Sequence, residues 1–326
     1  MADTISAYAY NDKDVSWPLV WLPMFEKYAA NVLDTMKSEV FLVAPRIKKD
    51  EVAAWEVWFG ENHARFMNEN LEISNTKEND KKDLSAEEYV PYIYEFGHEG
   101  PITDNGDAEY WPLMFGSPGI AVSAASLNWN TKQFYGRELD AALALNNETI
   151  ISYPAITDAG NGDAWRRYHD SLHSVLPNSE ASHPHNVFMR PVHEDPLDDN
   201  SEIVAMIFSL FSWDNSLRNL LPESVKGMIA VIRSEGCNLT HSYVIDGKDA
   251  FFLGEGDLHE AKYDDKEVMV DLSFHKNPMS AFTPDHCVYK IVSYYSNHVV
   301  EAPSENLSNA FYIHQLSAAH FPRARI

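Results

Sequence analysis

Apolar residues in the N-terminal stretch recur at helical spacing. Phe25, Tyr28, Ala29, Val32, Leu33 and Met36 fall three or four apart, and Pro23 is placed for a first turn. Pro45 interrupts the pattern. A second helix is predicted from about Lys49 to Met67, with Val52, Trp55, Phe59 and Phe66 on one face. Residues 71–88 are charged and turn-rich and read as an exposed loop. A β segment is expected at Tyr89–Phe96, then turn clusters at Pro101–Asp107 and Ser117-Pro118-Gly119, with an apolar run to Leu127. Phe134, Leu139, Ala142 and Leu145 predict a helix over Gln133–Leu145. Ile150–Ile156 reads as a strand and Asp163–Leu176 as a helix.

The pattern changes character in the second half. Asn186–Val192 predicts a strand, His193–Asn200 an acidic loop, and Ile203–Phe211 a buried strand or a strand entering a helix. A short amphipathic helix is expected to end at Leu221-Pro222, before the β-branched run Met228–Ile232. Ser242–Ile245 and Ala250–Leu253 are short strands joined by Asp246-Gly247, a hairpin signal because glycine tolerates positive φ. Alternation through Cys287–Tyr295 predicts a closing strand. A succession of strands with a helix is clear over 186–296 and looser over 89–156. No internal repeat of sequence accompanies it.

Composition narrows the function classes. The chain has 326 residues and is 45% hydrophobic, enough for two modest domains or one large one and against global disorder. Its net charge is −24, from 49 acidic and 25 basic residues. Such a surface repels phosphate backbones and anionic lipid, so no nucleic-acid partner is expected. No segment approaches the ~20 apolar residues of a membrane span, so the chain itself is expected to make no membrane contact. Residues 1–16 lack an apolar stretch of signal-peptide type. Two cysteines, Cys237 and Cys287, are either free thiols in a reducing compartment or a single bridge in an oxidising one. Sequons begin at Asn147, Asn238 and Asn306, and the one beside Cys237 tilts the reading towards an exported domain.

No phosphate loop, G-x-G-x-x-G, H-E-x-x-H or G-x-S-x-G motif is present. Three constellations remain. His169 and His173 lie four apart on a predicted helix, so both imidazoles can face one metal ion, with His183, His185 and His193 downstream; the plainer reading is a solvated helix face followed by a polar loop. Gly254-Glu255-Gly256-Asp257-Leu258-His259, followed by Asp264-Asp265, offers carboxylates and an imidazole to a divalent cation, or is a structural turn capped by Asp257. Tyr110-Trp111-Pro112 with Asn128-Trp129-Asn130 combines aromatic walls with amides, which suits a small polar ligand or a packed core. Arg166-Arg167 offers a bidentate grip on a carboxylate, or a helix surface.

Several of these residues carry a resemblance. Leu221-Pro222, Cys237, His241-Ser242-Tyr243, Asp246-Gly247, Leu253-Gly254, Gly256-Asp257-Leu258-His259, Tyr263-Asp264 and His286-Cys287-Val288-Tyr289 resemble the extracellular sensor region of receptor-type guanylate/adenylate cyclases of diatoms and related algae. Trp17-Pro18, Pro23, Phe25-Glu26, Pro45, Trp55-Glu56, Ser117-Pro118, Asn128 and Asn130 extend it upstream. The resemblance implies a CHASE-like α+β fold: an N-terminal helical stalk carrying two PAS/Cache-like modules of mixed antiparallel sheet. The implied division is a stalk at 1–70, a first, membrane-distal module at 71–180, a second, membrane-proximal module at 181–296, and a tail at 297–326. It also implies a Cys237–Cys287 disulfide and an extracellular or lumenal location.

The function expected is non-catalytic ligand sensing, in a receptor or a soluble relative of one. The small-molecule ligand would lie near Tyr110, Trp111, Asn128, Asn130 and Arg166, and a homodimer would form through the N-terminal helices. No cofactor is expected beyond a divalent cation. The alternatives are a metal-dependent hydrolase or lyase using His169, His173, Asp257 and His259, and a secreted acidic adhesion module.

Overall fold

Val40–Pro45, the apolar run VFLVAP, is buried at every position, as a strand covered on both faces must be. This strand, β1, is the centre from which the first unit is built. In the computed structural model the described residues are 5, 17–22, 25–62, 92–96, 101–103, 107–117, 126–129, 136–146, 149–152, 184–198, 200–224, 226–234, 238–272 and 289–294. They form a mixed α/β structure with mostly antiparallel sheets and few helices. The chain divides into two units, residues 1–33 with 39–210, and residues 34–38 with 211–326.

In the first unit, helix α1 (Phe25–Met36) leads into β1, followed by β2 (Ile47–Lys48) and a helix α2 over 52–62. Short strands β3 (Glu95–Phe96), β4 (Pro101–Ile102), β5 (Glu109–Tyr110) and β6 (Phe115–Ser117) come next. Helix α3 (Gly136–Leu145), β7 (Ile150–Ile151), β8 (His185–His193) and β9 (Ile203–Ser212) complete it. The main sheet runs β6-β1-β9-β8-β7. β1 pairs antiparallel with β9, from Val40↔Leu210 to Pro45↔Ala205, and with β6 from Phe41↔Ser117 to Val43↔Phe115. Alternation along β1 divides its side chains between two faces. Val40, Leu42 and Ala44 enter a core with Trp111, Leu113, Trp129, Leu139, Ala142, Val187, Met189 and Phe208. Phe41 meets Phe25 of α1, which also packs its ring 5.2 Å from that of Phe115. Phe25, Ala29 and Val32 are the buried stripe of α1, at the predicted spacing. In α2, Trp55 and Phe59 stack with ring centroids 4.7 Å apart, and both are buried.

The second unit contains helix α4 (Trp213–Leu217), β10 (Met228–Ser234), β11 (Leu239–Asp246), β12 (Asp249–Glu255), a 3-10 turn (Ala261–Lys266), β13 (Glu267–Leu272) and β14 (Tyr289–Tyr294). The sheet order is β12-β11-β10-β14-β13, antiparallel throughout. One face is dry: Met228, Ala230, Ile232, Ser234, Leu239, His241, Tyr243, Ile245, Ala250, Ile291 and Ser293 are all buried. The opposite face, with Ile229, Val231, Arg233, Ser242, Val292 and Tyr294, carries the segment that follows β12.

These contacts correct the sequence-based division. β8 and β9 were expected to open the second module at 181, but both belong to the sheet of β1. Residues 1–70 were expected to be a helical stalk, but they supply a strand lying between two others. The reason is common to both: pairing partners lie far apart in the chain, and periodicity reports burial, not partners. The hairpin also shifts slightly. Asp246 stays in the ladder opposite Asp249, and Gly247-Lys248 form the turn. Gly247 has φ +71°, and a Cβ there would lie 3.1 Å from the Glu223 carbonyl oxygen.

Gly247→Ala is therefore expected to lower the unfolding free energy by about 1–2 kcal/mol through left-handed strain alone. Urea denaturation of the two proteins measures it, and equal midpoints would refute the turn geometry.

Candidate functional site: a histidine latch across the second sheet

The segment after β12 turns back over the open face of the second sheet. Gly256, at φ +89°, turns the chain, and its N–H donates to the Thr240 carbonyl at 2.8 Å. Ser242, fully buried on β11, pins the return: its hydroxyl donates to the Gly256 carbonyl at 2.8 Å and accepts the Leu258 N–H at 3.0 Å. Tyr263, in the 3-10 turn, packs against Val231, Val292 and Tyr294.

His259 closes this strap. Its ring lies parallel to that of Tyr294, with centroids 3.7 Å apart and 2° between planes. Its Nδ1 contacts the Asp257 carboxylate, and its Nε2 lies 2.7 Å from Asp264 Oδ1. The His259 N–H donates to Asp257 Oδ1 at 3.3 Å, so the capping turn expected at Asp257 is present. Arg233 reaches from β10 to the same carboxylate, and its Nη2 donates to the Tyr294 hydroxyl at 3.0 Å.

The electrostatics follow from these contacts. Hydrogen bonds to Asp257, then Asp264, raise the His259 pKa above the ordinary imidazole value. Burial pushes Asp257 up, but hydrogen bonds from His259 and Arg233 outweigh it and hold the carboxyl below its usual range. Burial, then the Asp257 charge, raises Tyr294. Both ring nitrogens of His259 face carboxylates, so the protonated ring can donate from both. As an imidazolium it has no lone pair for a metal ion and cannot act as a general base. Among the described residues no group of three or more His, Cys, Asp and Glu side chains is arranged to hold a metal ion. What the arrangement can do is fasten the strap to the sheet, and let go when the imidazolium loses its proton.

The other sequence candidates fall elsewhere. Tyr110, Trp111 and Asn128 are brought together and buried. Asn128 Oδ1 accepts the Trp111 N–H at 2.8 Å, and its Nδ2 donates to Glu95 Oε1 at 3.1 Å. Its N–H donates to the Tyr94 carbonyl at 2.9 Å. Asn128 thus ties the strand at 94–95 to the one at 110–113. Asn130, Arg166, His169, His173, Cys237, Cys287, Asn147 and Asn306 lie outside the described residues. Asn238 is exposed, at φ +47°, just before β11. His185 is not a solvated loop residue: it opens β8, is buried, and sits 3.0 Å from Glu39. Arg233 and Tyr294 were not singled out from sequence. The available signal was alternation, which puts Arg233 in step with Val231 and Tyr294 in step with Val292. The sequence matches no protein-family model and no curated protein.

Two expected outcomes follow. Asn128→Ala leaves the buried Trp111 N–H without its acceptor and should cost about 1–3 kcal/mol in denaturant unfolding; a neutral effect would free this residue for a ligand role. The latch has a definite pH sign. A raised imidazole pKa adds stability that is complete below the unfolded value and is lost as pH rises through the folded one. His259→Gln should therefore lower the melting temperature at pH 6 and leave it nearly unchanged at pH 9. The difference should be worth under about 1 kcal/mol, because the pair is solvent-screened. A deficit equal at both pH values would argue against the imidazolium.

Proposed function

We propose that the chain is a non-catalytic ligand-sensing domain of a receptor-type nucleotide cyclase system, or a soluble relative of one, working outside the cell or in a lumenal compartment. The observation that carries this reading is the strand order of the first unit. Counted along the chain within that sheet, β6-β1-β9-β8-β7 is 2-1-5-4-3, the order a PAS-like module calls for. Counted the same way, the second sheet is 3-2-1-5-4, so in both sheets the first strand lies between the second and the fifth. A shared architecture does not by itself assign function, so the sites must agree with it. They do so in one respect: His259 is engaged at both nitrogens as a latch, which suits a conformational device better than a metal or acid–base centre. The exposed position of Asn238 is compatible with a glycan.

Sensing would work by population shift, the ligand preferring one of two packings and moving the balance by its difference in affinity. A homodimer through α1 would use its outward side, where Tyr28 is half exposed, because the other side is spent on the sheet.

A thermal-shift screen of the full chain tests the reading, with amino acids, small carboxylates and purines beside divalent metals and a chelator. A specific organic ligand at a hundredfold excess over Kd should add about 2.7 kcal/mol to stability. A response to metal alone, reversed by chelator, would overturn it in favour of a metal-dependent activity.

A further inference from the structure

The buried face of the second sheet contains polar groups that its own packing leaves unserved. His241 is 1% exposed and Ser234 is 2% exposed. Neither His241 Nδ1 nor Ser234 Oγ has a hydrogen-bond partner among the described residues. Such groups are rare in folded proteins, because each costs the free energy of its lost hydration, and each calls for an explanation.

The surroundings supply one. His241 on β11 lies opposite Ile232 on β10, so its diagonal neighbours on that strand are Ala230 and Ser234. On the far side of Ala230, β14 contributes Ser293. Three small residues thus pave the sheet beside the imidazole. Larger ones stand around them: Tyr243 opposite Ala230, Phe252 with its ring 5.5 Å from that of His241, and Ile291 opposite Ile232. Small residues alone would be only a shallow place in the sheet. Here an unpartnered, buried imidazole sits among them.

We propose that this face is a binding site for a small uncharged molecule with one hydrogen-bonding group, such as an amide or hydroxyl, on an apolar body. His241 and Ser234 take the polar group. Ile232, Ile291 and Phe252 take the rest. Burial holds His241 below the ordinary imidazole pKa, so near neutral pH it is uncharged, with one nitrogen to give and one to receive. Among the described residues an anionic ligand would find no counter-ion on this face: Arg233 belongs to the opposite one and is committed to Asp257, and Glu255, opposite His241 on β12, is itself acidic.

The assignment deepens the sensor reading and rests on it for purpose, not for geometry. Its test uses the full chain with ring-15N histidine, titrated with N-methylacetamide as the neutral probe and acetate as the charged one. N-methylacetamide should move the His241 ring signals saturably, with acetate about tenfold weaker or worse, since its charge must be buried. Ser234→Ala should weaken the amide about fivefold, the worth of one hydrogen bond, without lowering the melting temperature. His241→Phe should abolish the response. His241 signals that stay still throughout, an equal response to acetate, or amide binding unchanged in Ser234→Ala would each overturn the site. An organic hit in the thermal-shift screen that leaves the His241 ring unmoved would overturn this site alone and keep the sensor reading.

Discussion

The first unit depends on one pairing, that of β1 with β9. Six residues near the start of the chain lie in register against six near position 205, and β6 takes the other edge. Both strands are buried along their length, so their backbone groups have no access to water and must find each other. Everything between them hangs from that closure. Helix α1 lies on one face through Phe25, and α3 on the other through Leu139 and Ala142. Closing so long a loop costs entropy, but the cost grows only logarithmically with length, whereas two buried apolar strands contribute several kcal/mol. The same pairing means the N-terminal stretch cannot be an appendage. It is a central element of the sheet, and removing it would expose both neighbouring strands.

The second unit solves a different problem. Its strands β10, β11 and β12 are near neighbours in sequence and need only short turns, one of them Gly247-Lys248. Its sheet has one dry face and one that would otherwise show Val231 and Val292 to water. The strap covers the second. Ser242 fixes where the strap begins, and His259 fixes where it lies, by stacking on Tyr294 and by bridging two carboxylates. The covering segment carries little apolar surface of its own, so polar contacts of modest worth must hold it.

How much of this could be read from the sequence follows the range of each interaction. Ile203–Phe211, Met228–Ile232 and the strand expected within Cys287–Tyr295, found at Tyr289–Tyr294, were legible, because local alternation or continuous apolarity marks them. The buried stripe of α1 was legible for the same reason. β1 was not. VFLVAP is too short to distinguish from a helix-to-helix connection, and Pro45 reads as an interruption until its position at the strand's end is known. The boundary at 181 failed because β8 and β9 look alike whichever sheet receives them. At the sites, Asp257 and His259 were visible as a cluster in the sequence. Arg233 and Tyr294 were invisible as partners, since only the sheet brings strands β10 and β14 side by side. Tyr110, Trp111 and Asn128 lie together, but sequence could not tell a ligand wall from a structural tie. The hydrogen bonds of Asn128 favour the tie.

The two described histidines of the second unit, His241 and His259, sit in contrasting surroundings. His241 and Ser242 are consecutive, so their side chains leave β11 on opposite faces. On the face that the strap covers, where Ser242 anchors it, His259 meets two carboxylates that raise its pKa. On the dry face, burial makes His241 give its proton up. The two rings are kept apart by the thickness of the sheet, one engaged at both nitrogens and the other without a partner at Nδ1 among the described residues. In the sensor reading proposed above, a charged latch on one face and a neutral, receptive surface on the other would be the parts of a device that binds and rearranges.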